Sequence, residues 1–294
     1  VTSSVKKSRK NLKSQLAQFT GFLFLRLAVY SVLFILLYFF YDIGHQGYQA
    51  ISWEFISQVP KRGMTEGGIF PAIVGTFLVT LITAIFAVPL GMAAAIYLNE
   101  YARAGRLTRL IRLSIRNLAG VPSIVYGLFG VILFVNMLKF GTSVLSAGLT
   151  LGLLTLPWTI TASEEALKSV PDSYREGALA LGATKWQMIR TNVLPYSIPG
   201  MLTGAVLGLA RAAGETAPIM FTGAAFYLPF LPRSLKDQFM ALPYHLYIMA
   251  TQHHAIDKAR PLAYGTALVL IVFVVLFNLG AILLRARLRK KWRH

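Results

Sequence analysis

Along the 294 residues, long apolar runs alternate with shorter segments rich in charge. A bilayer core of about 30 Å takes roughly 20 apolar residues in helix. Six runs reach that length, at 22–41, 69–98, 118–138, 143–163, 196–226 and 262–284. The pattern predicts an all-α membrane protein of about six transmembrane helices. It also divides the chain into a basic tail (1–21), a first span (22–41), a main transmembrane region (69–285) and a second basic tail (286–294). The first run follows Lys6, Lys7, Arg9, Lys10 and Lys13, as in a signal peptide. It is too long for that and lacks a small-residue cleavage site, so it reads as a retained span.

Composition agrees with this division. Hydrophobic residues make up 55% of the chain and charged residues 14%, with a mean hydropathy of +0.59, outside the range of a soluble domain. The 29 Lys and Arg outnumber the 11 Asp and Glu, giving a formal charge of +18. In a soluble chain that balance would point to nucleic acid. In a membrane protein, cations collect in cytoplasmic loops instead. With the N-terminus inside, the cytoplasmic segments hold Lys6, Lys7, Arg9, Lys10, Lys13, Arg103, Arg106, Arg109, Arg112, Arg116, Lys168, Arg175, Lys185, Arg190, Arg285, Arg287, Arg289, Lys290, Lys291 and Arg293. The other side holds only Lys61, Arg62, Lys139, Arg233, Lys236, Lys258 and Arg260. Both termini are therefore expected in the cytoplasm, and no nucleic-acid partner is needed. Cysteine is absent, which excludes disulfides, thiolate catalysis and cysteine metal sites.

Two cations lie inside apolar runs. Arg26, about one turn into its run, is expected to snorkel to the interface. Arg211 lies near the middle of run 196–226, where a lone charge costs roughly 2.5–3.5 kcal/mol. Gly200, Gly204 and Gly208 precede it at the spacing that lets two membrane helices approach closely. On a continuous helix Gly204, Gly208, Arg211 and Glu215 share a stripe roughly 60° wide, so the charges face protein or water. Arg211 and Glu215, four apart, can neutralise each other. Such a pair either fixes helix packing or lines a solute path. Gly214 and Pro218 predict a kinked or unwound backbone beside Glu215, tolerated only against protein or a cavity.

The segment 164–195, EEALKSVPDSYREGALALGATKWQMIRTNVLP, is too polar to span and too patterned for a linker. Glu164 and Glu165 read as a solvated helix start. Pro171 and Asp172 open another helix, Gly182 breaks it, and a further stretch from Thr184 leads through Leu194 and Pro195 into the fifth span. One alternative is a helix lying on the membrane surface. A helix between two spans is also placed to receive force from a partner. The chain has no P-loop: Gly177 and Gly182 have the right spacing, but Ala183 stands where the lysine belongs.

Glu176, Gly177 and Ala178, then Gly182, then Val193, Leu194 and Pro195 resemble the EAA loop of binding-protein-dependent ABC importer permeases. Gly177 stands for the first alanine of that motif and Asn192 for its isoleucine. The stretches from Leu118 to Gly127 and from Leu209 to Pro218 are similar to segments of phosphate-specific importer permeases, and Glu215-Thr216-Ala217-Pro218 favours the PstA type. The resemblance covers roughly 69–285. It implies a type I ABC importer permease fold in the bacterial inner (plasma) membrane. It implies a homologous permease subunit of the PstC type, two ATPase subunits carrying ATP and Mg, an external phosphate-binding protein, and phosphate as substrate. Glu176, Gly177, Ala178, Gly182, Leu194 and Pro195 would couple to the ATPases, and Arg211 with Glu215 would lie on the anion route. No catalytic residue and no cofactor is then expected in this chain.

The external loop 227–261 carries Tyr244, Tyr247, His253 and His254. Adjacent histidines rarely chelate alone, so no metal site is assigned and a short amphipathic helix contacting the binding protein is expected. Two other readings stay open: a permease for sulfate or molybdate, and an ATP-independent secondary transporter or channel with Arg211 and Glu215 as a relay. A membrane enzyme has little support, because no span carries a catalytic constellation.

Overall fold

In hydrocarbon every backbone N–H and C=O must be satisfied within the protein, so apolar runs of this length wind into helices. The computed structural model describes residues 2–291, without the side chains of residues 2–13, 16, 284 and 288–291. The predicted cytoplasmic cations Lys6, Lys7, Arg9, Lys10, Lys13, Arg289, Lys290, Lys291 and Arg293 lie outside the described side chains. The elements are α1 (Thr2–Tyr48), α2 (Trp53–Ser57), the small hairpin β1 (Pro60–Lys61) and β2 (Glu66–Gly67), then α3 (Phe70–Ile96) and α4 (Arg106–Leu118). There follow α5 (Ser123–Gly130), α6 (Val144–Lys168), α7 (Asp172–Ala180), α8 (Lys185–Met188), α9 (Leu194–Gly214), α10 (Ala217–Thr222), α11 (Leu242–Thr251) and α12 (Ile256–Lys291). Wide π turns extend α3 through Tyr97–Tyr101 and α5 through Val131–Met137, and join α8 to α9 through Ile189–Val193.

Among the described residues five helices are long and apolar enough to cross a membrane: Ala17–Tyr48, Phe70–Tyr101, Val144–Lys168, Lys185–Gly214 and Ile256–Arg287. The sixth candidate is the Ser123–Met137 segment, which Arg106–Leu118 meets at 102°, as in a broken span or a re-entrant turn. The count of about six therefore holds, but two boundaries change. The third span does not begin at 118, because Leu118 closes a separate helix and Pro122 disfavours helix in the residue before it. The fifth does not begin at 196: its helix starts at Lys185 and runs through Pro195. Pro195 has no N–H to donate, and just before it the ladder slips, with Leu194 N–H bonding Ile189 O five residues back.

Helices α3, α6 and α9 form the centre, held close by small residues. A Cβ on Gly200 would lie 2.8 Å from Ala166 Cβ, and one on Gly208 would lie 2.9 Å from Thr155 Cγ2. Gly204 packs on Ala162 in the same way. The predicted small-residue spacing thus serves the contact of α9 with α6. Gly91 of α3 packs on Thr159 of α6. Buried Thr76, Thr80, Thr150 and Thr155 donate back to carbonyls four residues earlier, and Thr83 also reaches Gly148 O at 3.1 Å, which spares each hydroxyl an unpaired existence in apolar surroundings.

The segment 227–261 is less of a loop than predicted. Phe239, Met240, Ala241 and Leu242 are buried, and α11 turns Leu242, His245, Ile248 and Met249 inward. The Leu242 N–H donates to Thr76 Oγ1 at 2.8 Å, fixing the start of α11 to α3. Phe and Leu side chains along α1 stay exposed, as a lipid-facing span requires.

Candidate functional site

The helix α9 ends where Gly214 removes a side chain and Pro218 soon after removes a donor. Glu215 takes an extended conformation (φ −72°, ψ 133°), and α10 starts two residues later. The predicted break is present, so Glu215 does not continue the glycine stripe as a helical residue. It still meets Arg211: Nε donates to Oε1 at 3.3 Å. The two side chains differ in access, Arg211 being 51% exposed and Glu215 16%. Glu215 leans inward over a cavity of about 10 Å³, beside Thr76, Thr80 and Ala241. That volume is near the lower limit for one water molecule. Arg211 leans outward, its guanidinium carbon 5.2 Å from the centre of the Trp158 ring. Its Nη1 and Nη2 groups have no hydrogen-bond partner among the described residues, which leaves a planar fork of donors suited to an oxyanion. Trp158 escaped the sequence reading because it sits on another span.

The second cluster is the segment after α6. Glu164 and Glu165 do not start a helix; they lie in its last turns. Glu164 is buried and accepts from Arg112 Nε at 2.9 Å, while exposed Glu165 pairs with Lys168 at 2.8 Å. Polarity ended the apolar run there, but not the helix. Arg112 Nη2 also donates to Leu98 O at 2.7 Å. A second partly buried arginine, Arg175 on α7, donates to Glu100 Oε1 at 3.0 Å and to Asp172 at 3.1 Å. It also closes the end of α6 by donating to Leu167 O at 2.9 Å and Val170 O at 2.8 Å. Arg112 and Arg175 were legible only as orientation charges, and Glu100 was not singled out. The one signal that sets Glu100 apart is an acid at the end of an apolar run in a chain with few acids.

Glu176 and Gly177 lie exposed on α7, whereas Ala178 is buried against Met188, Ile189 and Val193. Gly182 takes φ +83°, a left-handed turn that its missing Cβ permits, and Thr184 then caps α8 in a capping box with Gln187. Leu194 and Pro195 sit partly buried at the start of α9. Asn192 donates to Tyr174 O at 3.3 Å, tying the two arms of the loop. Its tip exposes apolar side chains, Leu181 at 90% above all, with Tyr174, Leu179 and Trp186. Apolar side chains gathered on one exposed loop mark a contact surface for protein or membrane.

At the other end, His253 and His254 stack with ring centres 4.5 Å apart. His253 Nδ1 accepts from Ala255 N–H at 3.1 Å and Nε2–H donates to Gly63 O at 2.8 Å, so both its nitrogens are engaged.

Residues 87–294 match the family described as binding-protein-dependent transport system inner membrane component. A probable ABC transporter permease of Bacillus subtilis, YqgI, is 32% identical over 83% of this chain and 87% of its own. The phosphate transport system permease protein PstA 1 of Mycobacterium tuberculosis is 38% identical over 74% of this chain and 71% of its own. PstA of Yersinia pestis is 35% identical over 85% and 83%. Among solved structures, a bacterial alginate ABC transporter in complex with its alginate-bound periplasmic protein contains a chain that superposes with a TM-score of 0.67, at 14% identity over 92% of this chain and 96% of that one. The inward-facing MetNI methionine ABC transporter gives 0.60, at 16% identity over 74% and 94%.

Proposed function

This chain belongs to the family of binding-protein-dependent transport system inner membrane components, and from that premise we propose that it is the PstA-type permease of an ATP-driven phosphate importer. It forms half of the pathway with a homologous PstC-type subunit. An external phosphate-binding protein delivers the anion, and two ATPase subunits bind ATP with Mg and dock on the 164–195 loop. The chain itself catalyses nothing, and both termini face the cytoplasm.

The observation that carries the reading is the Arg211 fork, half-exposed and held by one nitrogen at the break between α9 and α10. Arg211 offers phosphate charge-assisted hydrogen bonds, while Glu215 beside it keeps binding weak enough for release. Because the break separates the pair, movement of α10 against α9 changes how many Arg211 donors are available. Import against an inside-negative potential costs about 2.3 kcal/mol per charge per 100 mV, so uphill uptake requires the ATPases. Their closure reaches the pathway through one rigid path: exposed Glu176, Gly177 and Leu181 receive it, and the helix from Lys185 to Gly214 carries it to Arg211.

Proteoliposomes holding the four membrane and ATPase subunits test this with radiolabelled anions. ATP and binding protein together should drive phosphate accumulation. Uptake without ATP would support a secondary transporter, and accumulation of sulfate or molybdate in place of phosphate would reassign the substrate.

A further inference from the structure

The loop after the second span was read as a store of orientation charge, yet its residues form α4, RLTRLIRLSIRNL. At about 100° per residue, Leu107, Leu110, Ile111, Ile115 and Leu118 gather on one side and Arg109, Arg112 and Arg116 on the other. None of its residues is buried; Leu107 is 70% exposed and Leu110 59%. The helix meets the Ser123–Met137 span segment at 102°, so it lies across the span direction. Its depth is set by Arg112, which holds Leu98 O after α3 and Glu164 near the end of α6. Both partners lie near the last residues of the spans Phe70–Tyr101 and Val144–Lys168.

Arg103, Arg106, Arg109 and Arg116 are exposed and form no ion pair among the described residues. On the apolar side a groove of about 500 Å³ opens between α5 and α6, lined by Ile115, Leu118, Val125, Phe129 and Leu156 without a charged group. An apolar groove roofed by an amphipathic helix whose arginines no acid pairs has the two halves of a phospholipid site.

We propose that α4 lies in the membrane surface and binds anionic phospholipid, with an acyl chain in the groove and Arg103, Arg106, Arg109 and Arg116 on phosphate headgroups. Charge complementarity selects lipid over a protein partner. A protein covering α4 would have to pair or bury those arginines, whereas an anionic leaflet attracts basic side chains in place. Surface helices with this division of faces settle at the headgroup boundary.

The absence of cysteine permits single nitroxide reporters on this chain. The complete transporter, with cysteines of the other subunits replaced, would be placed in bilayers of phosphatidylcholine and phosphatidylglycerol. A label at Leu110→Cys should be open to oxygen and closed to a water-soluble nickel chelate, and one at Arg109→Cys open to the chelate. A Leu110 label open to nickel, or closed to both reagents because protein covers it, overturns the proposal. In the variant carrying Arg103→Gln, Arg106→Gln, Arg109→Gln and Arg116→Gln, native mass spectrometry should find phosphatidylglycerol enrichment over phosphatidylcholine reduced about fivefold or more. Unchanged enrichment overturns the role of the arginines. The variant leaves the Arg112 pair intact, so its assembly with the other subunits is expected to persist.

Discussion

Arg211 spends a single nitrogen on Glu215 and lies over the Trp158 ring, which leaves its remaining donors without a partner among the described residues. Arg211→Ala should abolish phosphate uptake while assembly and ATPase activity persist; normal uptake in that variant removes the role. Arg211→Lys should fall between the two, because an ammonium keeps the charge but loses the planar fork. Uptake rates of the two variants, measured at matched reconstitution, separate charge from geometry. Buried His245 sets a second residue-scale expectation. Its Nδ1 has no partner among the described residues, and burial, reinforced by His253, pushes its pKa down to about 4. The folded state thus refuses a proton that the unfolded chain accepts near pH 6.5. The neutral ring is compatible with full stability above that pH. As the pH falls from 6.5 toward 4, stability drops, by about 3 kcal/mol at most. Thermal unfolding of His245→Gln should lose much of this acid sensitivity, and a pH profile matching the parent would show that other groups carry it.

At the scale of elements, two partly buried arginines decide how the 164–195 loop is held. Arg175 joins α7 to Glu100 and to the carbonyl end of α6, and Arg112 joins α4 to Glu164. Removing one partner strands the other charge at a cost of about 3–5 kcal/mol, so Arg175→Met and Glu100→Gln should each lower the melting temperature. Beyond that, a loosened α7 should raise ATP hydrolysis per phosphate moved. If the variants melt earlier while that ratio stays at the parent value, the clamp serves folding alone. Glu176, exposed on the same helix, predicts the complementary result: Glu176→Lys should leave melting unchanged and reduce co-purification of the ATPase. Unaltered recovery would count against docking there. The helical character and the turn at Gly182 were legible because capping and glycine signals are local. The clamp was not, since Glu100 and Arg175 lie 75 residues apart and nothing in either neighbourhood names the other. For the same reason Glu164 was misread: its polarity was visible, but its burial depends on Arg112 from α4. The helix α4 itself was hidden because basic residues at helical spacing fall below any test for a span.

Across the whole molecule, three buried clusters follow one another along α3, and the second and third also take in α6 and α9. One gathers Phe55, Ile69, Leu242 and Ile248, the middle one Val79, Leu151 and Phe239, and the last Leu98, Leu167, Ile189 and Met201. The stack defines two ends that hydropathy alone could not assign to elements. Leu145 N–H bonds Leu235 O at 2.9 Å, placing Lys236 beside the start of α6, while α4 and α7 pack near its finish. The cations counted along the sequence therefore separate in space as well. Arg103, Arg106, Arg109, Arg112, Arg116, Arg175 and Arg190 belong to the end with α4 and α7; Lys61, Arg62, Arg233 and Lys236 belong to the end with α11. The rule that cytoplasmic loops retain Lys and Arg predicts the α4 end inside. Single cysteines in this cysteine-free chain provide the check. A membrane-impermeant maleimide applied to intact spheroplasts should label Lys236→Cys and spare Arg287→Cys until the membrane is opened. The reverse pattern would place the coupling loop outside, where no ATP reaches it, and would overturn the importer reading together with the orientation.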